Sequence, residues 1–293
     1  MMLIYLTVTI HIKKSIREEN ATMKKITFFS LVLALILALS ACGSAGSSSS
    51  STKSTSQKKV LRVVNDATYA PFEYLKNGKM VGFDVDVMKA LGKASGYQYK
   101  LENVGWDPVF AELKNKTADI GVSAISITSD RAKTYDFSKP YFLSTNMILV
   151  PKSSKIKTAQ DLKGKTIAVQ QGTTGQVAME KIMGKNNPKI KKFKTITLAI
   201  MEMLNHGADA VVADDTVIRQ YAMNNPGKGL KVIPDKKAFA NEYYGLMYPK
   251  DSKYVPVFDK AIKKILEDGT YTKIYEKWFK VKPDVKTLLA QQK

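Results

Sequence analysis

Strand-like and helix-like stretches alternate from Val60 onward, and that alternation constrains the fold more than any other feature of the chain. Val60-Leu-Arg-Val-Val64 reads as a strand. Gly82-Phe-Asp-Val-Asp86 opens a helix in which Phe83, Val87, Leu91 and Ala94 recur at helical spacing. Tyr97 to Leu101 follows as a strand, Val109, Phe110 and Leu113 mark a short helix, and Ile120 to Ile127 reads as a buried strand. After Pro140-Tyr141 the pattern resumes, with strands at Met147–Val150, Thr166–Val169 and Ala210–Val212. Helices are expected behind Gly172-Thr-Thr-Gly175, over Leu198–Leu204 and over Thr216–Met223. A strand at Tyr243–Met247 precedes two helices, Val255–Leu266 and Tyr271–Phe279, parted by Asp268-Gly269. This order predicts an α/β fold, and 293 residues suffice for one large or two medium domains.

The alternation does not extend to the first residues. Met23-Lys24-Lys25 precedes an uncharged, nearly all-apolar run from Ile26 to Leu39. That run suits the hydrophobic region of a signal peptide and is short for a membrane span. Leu39-Ser40-Ala41-Cys42 then sets small residues before a cysteine, the pattern of a bacterial lipoprotein signal. Residues 23–41 are therefore expected to be cleaved, leaving Cys42 as the lipidated first residue. Cys42 is the one cysteine of the chain, which excludes an internal disulfide. Residues 1–22 sit badly in front of such a signal, and translation is expected to start at Met23. Residues 42–59 are rich in Ser, Thr, Gly and Lys, cannot bury a core, and are expected to form a disordered tether.

The formal charge is +20, and removal of residues 1–41, with five Lys/Arg and two Glu, leaves +17. On an exported, anchored chain such an excess points to an anionic envelope surface. No nucleic-acid partner is expected, since no arginine-rich or aromatic-interleaved motif is present.

Polar groups gather at the predicted strand ends. Asp119-Ile-Gly-Val-Ser-Ala-Ile-Ser-Ile-Thr-Ser-Asp-Arg131 brings Ser123, Ala124 and Ser126 to the end of a strand and Arg131 to the first turn of a short helix. The helix dipole disfavours a cation there, so an anionic partner is invited, although an ordinary surface arginine would leave the same trace. Asp66 to Phe72, Gly105-Trp106-Asp107, Gln170-Gln-Gly-Thr173-Thr174 and Asp214-Asp215 have the same character. Ligands on α/β sheets bind beyond the carboxyl ends of strands, where such loops meet. Of the adjacent acids, Asp214 is expected to face the cleft and Asp215 to cap a helix. Asp84 and Asp86 look like a metal pair but at a helix start are expected to be caps, and no metal or cofactor is expected.

Taken in order, these motifs resemble the solute-binding proteins of polar amino-acid ABC importers. The resemblance rests on Tyr69-Ala-Pro-Phe-Glu-Tyr74, Gly82-Phe-Asp-Val-Asp86, Ile125-Ser-Ile-Thr128 with Arg131, Asp136-Phe-Ser138 with Pro140-Tyr141, Asp161-Leu-Lys-Gly-Lys165, and Gly269-Thr-Tyr271 with Trp278-Phe279. It implies a two-lobed periplasmic-binding-protein fold of type II with two hinge strands. Lobe I would comprise residues 60–145 and 242–293, and lobe II residues 146–241. It further implies a monomer that closes on a free amino acid and delivers it to an ABC permease complex.

The carry-over gives each position a role. Arg131 would clamp the α-carboxylate with Ser126 and with Thr174 at a helix head, while Ser123 and Thr173 complete the cradle. Asp214 and the carbonyl of Ala124 would take the α-ammonium, Tyr69 and Trp106 would sandwich the side chain, and Asp66 and Gln170 would read its far end. Two aromatic faces beside an acid suit a guanidinium or ammonium. The stretches Gly105 to Phe110 and Ala199 to Leu204 resemble the arginine/lysine/histidine-binding branch, so arginine is expected first, with glutamine or another polar amino acid as the alternative. Enzymes and sensory domains share the fold, but the expected cleft offers no histidine, cysteine or lysine, and its two acids are assigned to binding.

Overall fold

Residues 59–293 are described by the computed structural model of the chain, so the expected signal peptide, Cys42 and nearly all of the tether lie outside the described residues. The chain begins with β1 (Leu61–Asn65), continues through the small antiparallel sheet β2 (Thr68–Tyr69), β3 (Glu73–Lys76) and β4 (Lys79–Val81), and enters α1 (Phe83–Ser95). Next come β5 (Tyr99–Asn103), α2 (Trp106–Lys114), β6 (Ile120–Gly121), β7 (Tyr135–Phe137) and the long β8 (Phe142–Pro151). Then follow β9 (Ile167–Gln170), α3 (Thr174–Met183), β10 (Ile190–Phe193), α4 (Ile196–Leu204), β11 (Ala210–Asp214), α5 (Asp215–Asn224), β12 (Leu230–Ile233), β13 (Asn241–Tyr244) and β14 (Met247–Pro249). Three helices finish the chain: α6 (Val255–Glu267), α7 (Thr270–Phe279) and α8 (Val285–Ala290).

The strands form two main sheets. The first has the order β5-β1-β6-β14-β7, with β1 parallel to β5 and β6. The second has the order β10-β9-β11-β8-β12, and β13 pairs with β8. Among the described residues two extended strands pass between them. Phe142–Thr145 of β8 pairs with Tyr244–Asn241, and the following residues of β8 enter the second sheet against β11 and β12. An aromatic cluster packs at this crossing, where Phe142 stacks on Tyr244 at 5.3 Å and meets Phe72 edge-on at 4.9 Å. Helix burial follows sequence period: in α6 Phe258, Ala261, Ile262, Ile265 and Leu266 turn inward.

Several local expectations need correction. The run from Ile120 to Ile127 is a strand only at Ile120–Gly121. Ala124 takes a left-handed φ of 46°, which ends regular pairing and leaves Ser126 in an isolated bridge with Tyr244. Trp106 is the first residue of α2, not a loop residue. Asp84 and Asp86 do not cap α1, whose N-cap is Gly82 without a side-chain bond. Asp84 instead accepts from Ala124 N and Tyr141 Oη, and Asp86 accepts from Lys277 Nζ and Trp278 Nε1. Asp215 is no cap either; it opens α5 and accepts from Ser144 Oγ at 3.2 Å.

Candidate functional site

Loops at strand ends of both sheets converge on one nearly closed cavity. All eleven residues singled out in the sequence line it: Asp66, Tyr69, Trp106, Ser123, Ala124, Ser126 and Arg131 from the first-sheet side, and Gln170, Thr173, Thr174 and Asp214 from the second. Its walls are close together, so it is a nearly shut seam rather than an open bowl.

At one end stands Arg131, whose backbone N–H is fixed by Thr128 Oγ1 at 3.1 Å. Its guanidinium donates to the carbonyls of Ser126 (2.8 Å) and Gly172 (3.0 Å) and to no carboxylate among the described residues. Its Cζ lies 5.5 Å from the ring centre of Trp106 and 5.1 Å from that of Phe110, a cation–π arrangement. Trp106 therefore already supports the arginine, in addition to facing the cavity. Opposite it, Thr173 caps α3 by accepting from Gln176 N and donates its hydroxyl to Gln170 O at 2.8 Å. The cap places the start of α3, at Thr173 and Thr174, on the cavity wall, a setting that favours anions.

Asp214 ends β11 with 6% exposure, and burial pushes its carboxyl up to about 7, with the charge of Glu242 adding to the rise. Hydroxyls of Tyr244 and Tyr69 oppose that rise, Tyr244 at 2.6 Å. Asp66 lies at the other end, 2% exposed, accepting from Thr68 Oγ1 at 3.0 Å and Gln170 Nε2 at 3.2 Å. Burial raises its carboxyl too. Gln170 Oε1 and Trp106 Nε1 are buried and without a hydrogen-bond partner among the described residues.

The cavity floor is held by two acids behind it. Ser123 Oγ accepts from Asp66 N at 3.1 Å and donates to Glu73 Oε1 at 2.7 Å. Asp84 holds Ala124 N at 2.7 Å. Burial raises both carboxyls, Asp84 to about 6 and Glu73 well above the ordinary range. Glu73 Oε2 and Asp84 Oδ1 are each buried and without a hydrogen-bond partner among the described residues, and the charge of Asp84 adds to the rise at Glu73. Neither acid was marked as functional in the sequence, although Glu73 and Asp84 both stand inside quoted motifs; their roles depend on contacts 40 and 50 residues away.

The model of bacterial extracellular solute-binding proteins, family 3, matches residues 61–281. The chain belongs to that family. A curated relative, the "Probable histidine-binding protein" of Neisseria gonorrhoeae, is 42% identical over 248 residues, covering 83% of this chain and 91% of the relative. The arginine-binding extracellular protein ArtP of Bacillus subtilis is 33% identical over 257 residues, covering 88% and 98%. Among solved structures, the arginine-, lysine-, histidine-binding protein ArtJ of Geobacillus stearothermophilus superposes with a TM-score of 0.77 at 52% identity, covering 78% of this chain and 99% of that one. This family 3 protein therefore has the two-lobed periplasmic-binding-protein fold of mixed α/β type, as expected. The named relatives are binding proteins rather than enzymes. No helix among the described residues is long and apolar enough to cross a membrane.

Proposed function

We propose that this family 3 protein captures a free basic amino acid, arginine ahead of lysine and histidine, by closing two lobes around it. The observation that carries this reading is the far end of the cavity. Asp66 is buried with only a hydroxyl and an amide as donors, and beside it Gln170 Oε1 is an acceptor without a donor. A neutral far end would leave the Asp66 charge buried and uncompensated, whereas a guanidinium supplies both opposite charge and several N–H groups. At the near end, Arg131 and the head of α3 suit an α-carboxylate, and Asp214 with the carbonyl of Ala124 suits an α-ammonium. Relatives that bind arginine or histidine support the same ligand class.

Lobe I would hold residues 60–145 and 242–293 and lobe II residues 146–241, with β8 and β13 as the hinge. A monomer tethered through lipid on Cys42 would deliver the ligand to an ABC permease at the outer face of the membrane. Thermal melting of the purified protein against all common amino acids tests the ligand. Arginine and lysine are expected to raise Tm strongly; a rise with glutamine alone would defeat basic specificity. Substitution Cys42→Ser is expected to release the protein into the medium.

A further inference from the structure

Glu242 was read from the sequence as no more than a boundary residue, yet its carboxylate is one of the best-held anions near the cavity. It sits on β13 opposite Ser144 of β8. Its Oε2 accepts from Ser126 Oγ and from Thr174 Oγ1, both at 2.7 Å, and its Oε1 accepts from Asn146 Nδ2 at 2.6 Å. Ser126 follows the first sheet and Thr174 begins α3 on the second, so a single oxygen ties groups from both sides of the seam. Those two hydroxyls are the ones the family resemblance assigns, with Arg131, to the ligand's carboxylate. Glu242 itself is not part of the cavity wall.

We propose that Glu242 is a charge-selectivity residue of the cleft, a protein anion fixed on the carboxylate-subsite hydroxyls whose negative charge favours ligands of net positive charge. An incoming α-carboxylate must share Arg131, Ser126 and Thr174 with it, and like charges so placed repel. Every α-amino acid meets that repulsion equally. What differs is the total charge brought in. With an ammonium beside Asp214 holding it ionised, Asp66, Asp214 and Glu242 stand against Arg131, an excess of two negative charges. An arginine zwitterion with its cationic side chain reduces the excess, glutamine leaves it unchanged, and glutamate increases it. Selectivity for cations thus comes from the whole cleft and not only from the acid at its far end, which is consistent with Glu242 contributing to the raised carboxyl of Asp214.

This inference rests on the basic-amino-acid reading, and titration calorimetry of the purified protein separates the two. Wild-type protein is measured first with arginine and glutamine. Lack of a preference for arginine there would sink the basic-amino-acid reading itself. Given that preference, Glu242→Gln is expected to narrow the arginine-to-glutamine affinity ratio by about tenfold, mostly through gain of glutamine binding, since an amide keeps the shape but not the charge. Glu242→Asp keeps the charge on a shorter arm, so both affinities shift while their ratio stays within about threefold of wild type. Glu242→Thr, neutral and suited to a strand, repeats the neutralisation should the glutamine variant not fold. An unchanged ratio in the neutral variants overturns the inference, as does an aspartate variant that loses selectivity as completely as the neutral ones.

Discussion

The hydroxyl of Tyr244 donates to Oδ2 of Asp214 across 2.6 Å, linking a residue of the second crossing strand to the acid at the head of α5. Both groups are buried, and the carboxyl sits at about 7 because burial, and then Glu242, disfavour its charge more than the hydroxyls favour it. An ammonium placed beside Asp214 would stabilise the carboxylate and draw that value down. Arginine binding should therefore release a proton below about pH 7, and affinity should rise with pH from 5 to 7 and level off above. The sign for folding is opposite. A carboxyl raised in the fold holds a proton that the unfolded chain loses near pH 4, so stability of the free protein falls as pH rises from there towards 7. Calorimetry at pH 6 in two buffers of different ionisation enthalpy reads the proton; equal heats and a flat affinity profile would contradict the assignment.

Arg131 is the one guanidinium on the cavity wall, and it is held by carbonyl groups rather than by a carboxylate. Replacing it with alanine removes a bidentate charge-assisted contact, expected to cost about 3 kcal/mol of binding, or roughly a hundredfold in Kd. Lysine should recover little, because an ammonium cannot make the planar fork. Calorimetric titration with arginine measures both variants, and near-wild-type affinity in Arg131→Ala would rule out the clamp.

Asp66→Asn separates charge from shape at the far end. The amide retains contact with Thr68 but loses the charge, so arginine should weaken by about 1.5–3 kcal/mol, roughly tenfold to over a hundredfold. Melting temperature should hold or rise, since burial already disfavours the charged form of Asp66. Equal arginine affinity in wild type and variant would leave Asp66 a turn residue bound to Thr68.

Much of this was legible in the sequence, for identifiable reasons. Helices with a regular apolar period, such as α1 with Phe83, Val87 and Leu91, could be placed to within a residue or two. The eleven lining residues were found because a family pattern fixes their order along the chain, and the fold then brings them to one cavity. What could not be read was whatever depends on pairing across the fold. The strand through Ile127 was overextended because small residues in an apolar run give no sign of a left-handed Ala124. The short β7, β10 and β12, with β2 to β4, lack strong alternation and were not anticipated. Glu242 escaped because its partners Ser126, Asn146 and Thr174 lie 116, 96 and 68 residues away.

Asp84 offers a test of how the fold holds the site from behind. It contributes nothing to the cavity wall, yet it accepts from Ala124 N at 2.7 Å and from Tyr141 Oη at 2.9 Å. Ala124 is strained, with a φ of 46°, and its neighbours Ser123 and Ser126 both line the cavity. Asp84→Ala leaves a buried N–H and a buried hydroxyl without an acceptor. The cost should be about 3 kcal/mol, read as a lower denaturant midpoint at unchanged slope. Arginine affinity should fall as well, because the released loop no longer presents the Ala124 carbonyl to an ammonium. Asp84→Asn keeps an acceptor for Ala124 N and should recover most of the stability. A stable alanine variant that binds arginine as tightly as wild type would show that Ala124 holds its conformation unaided.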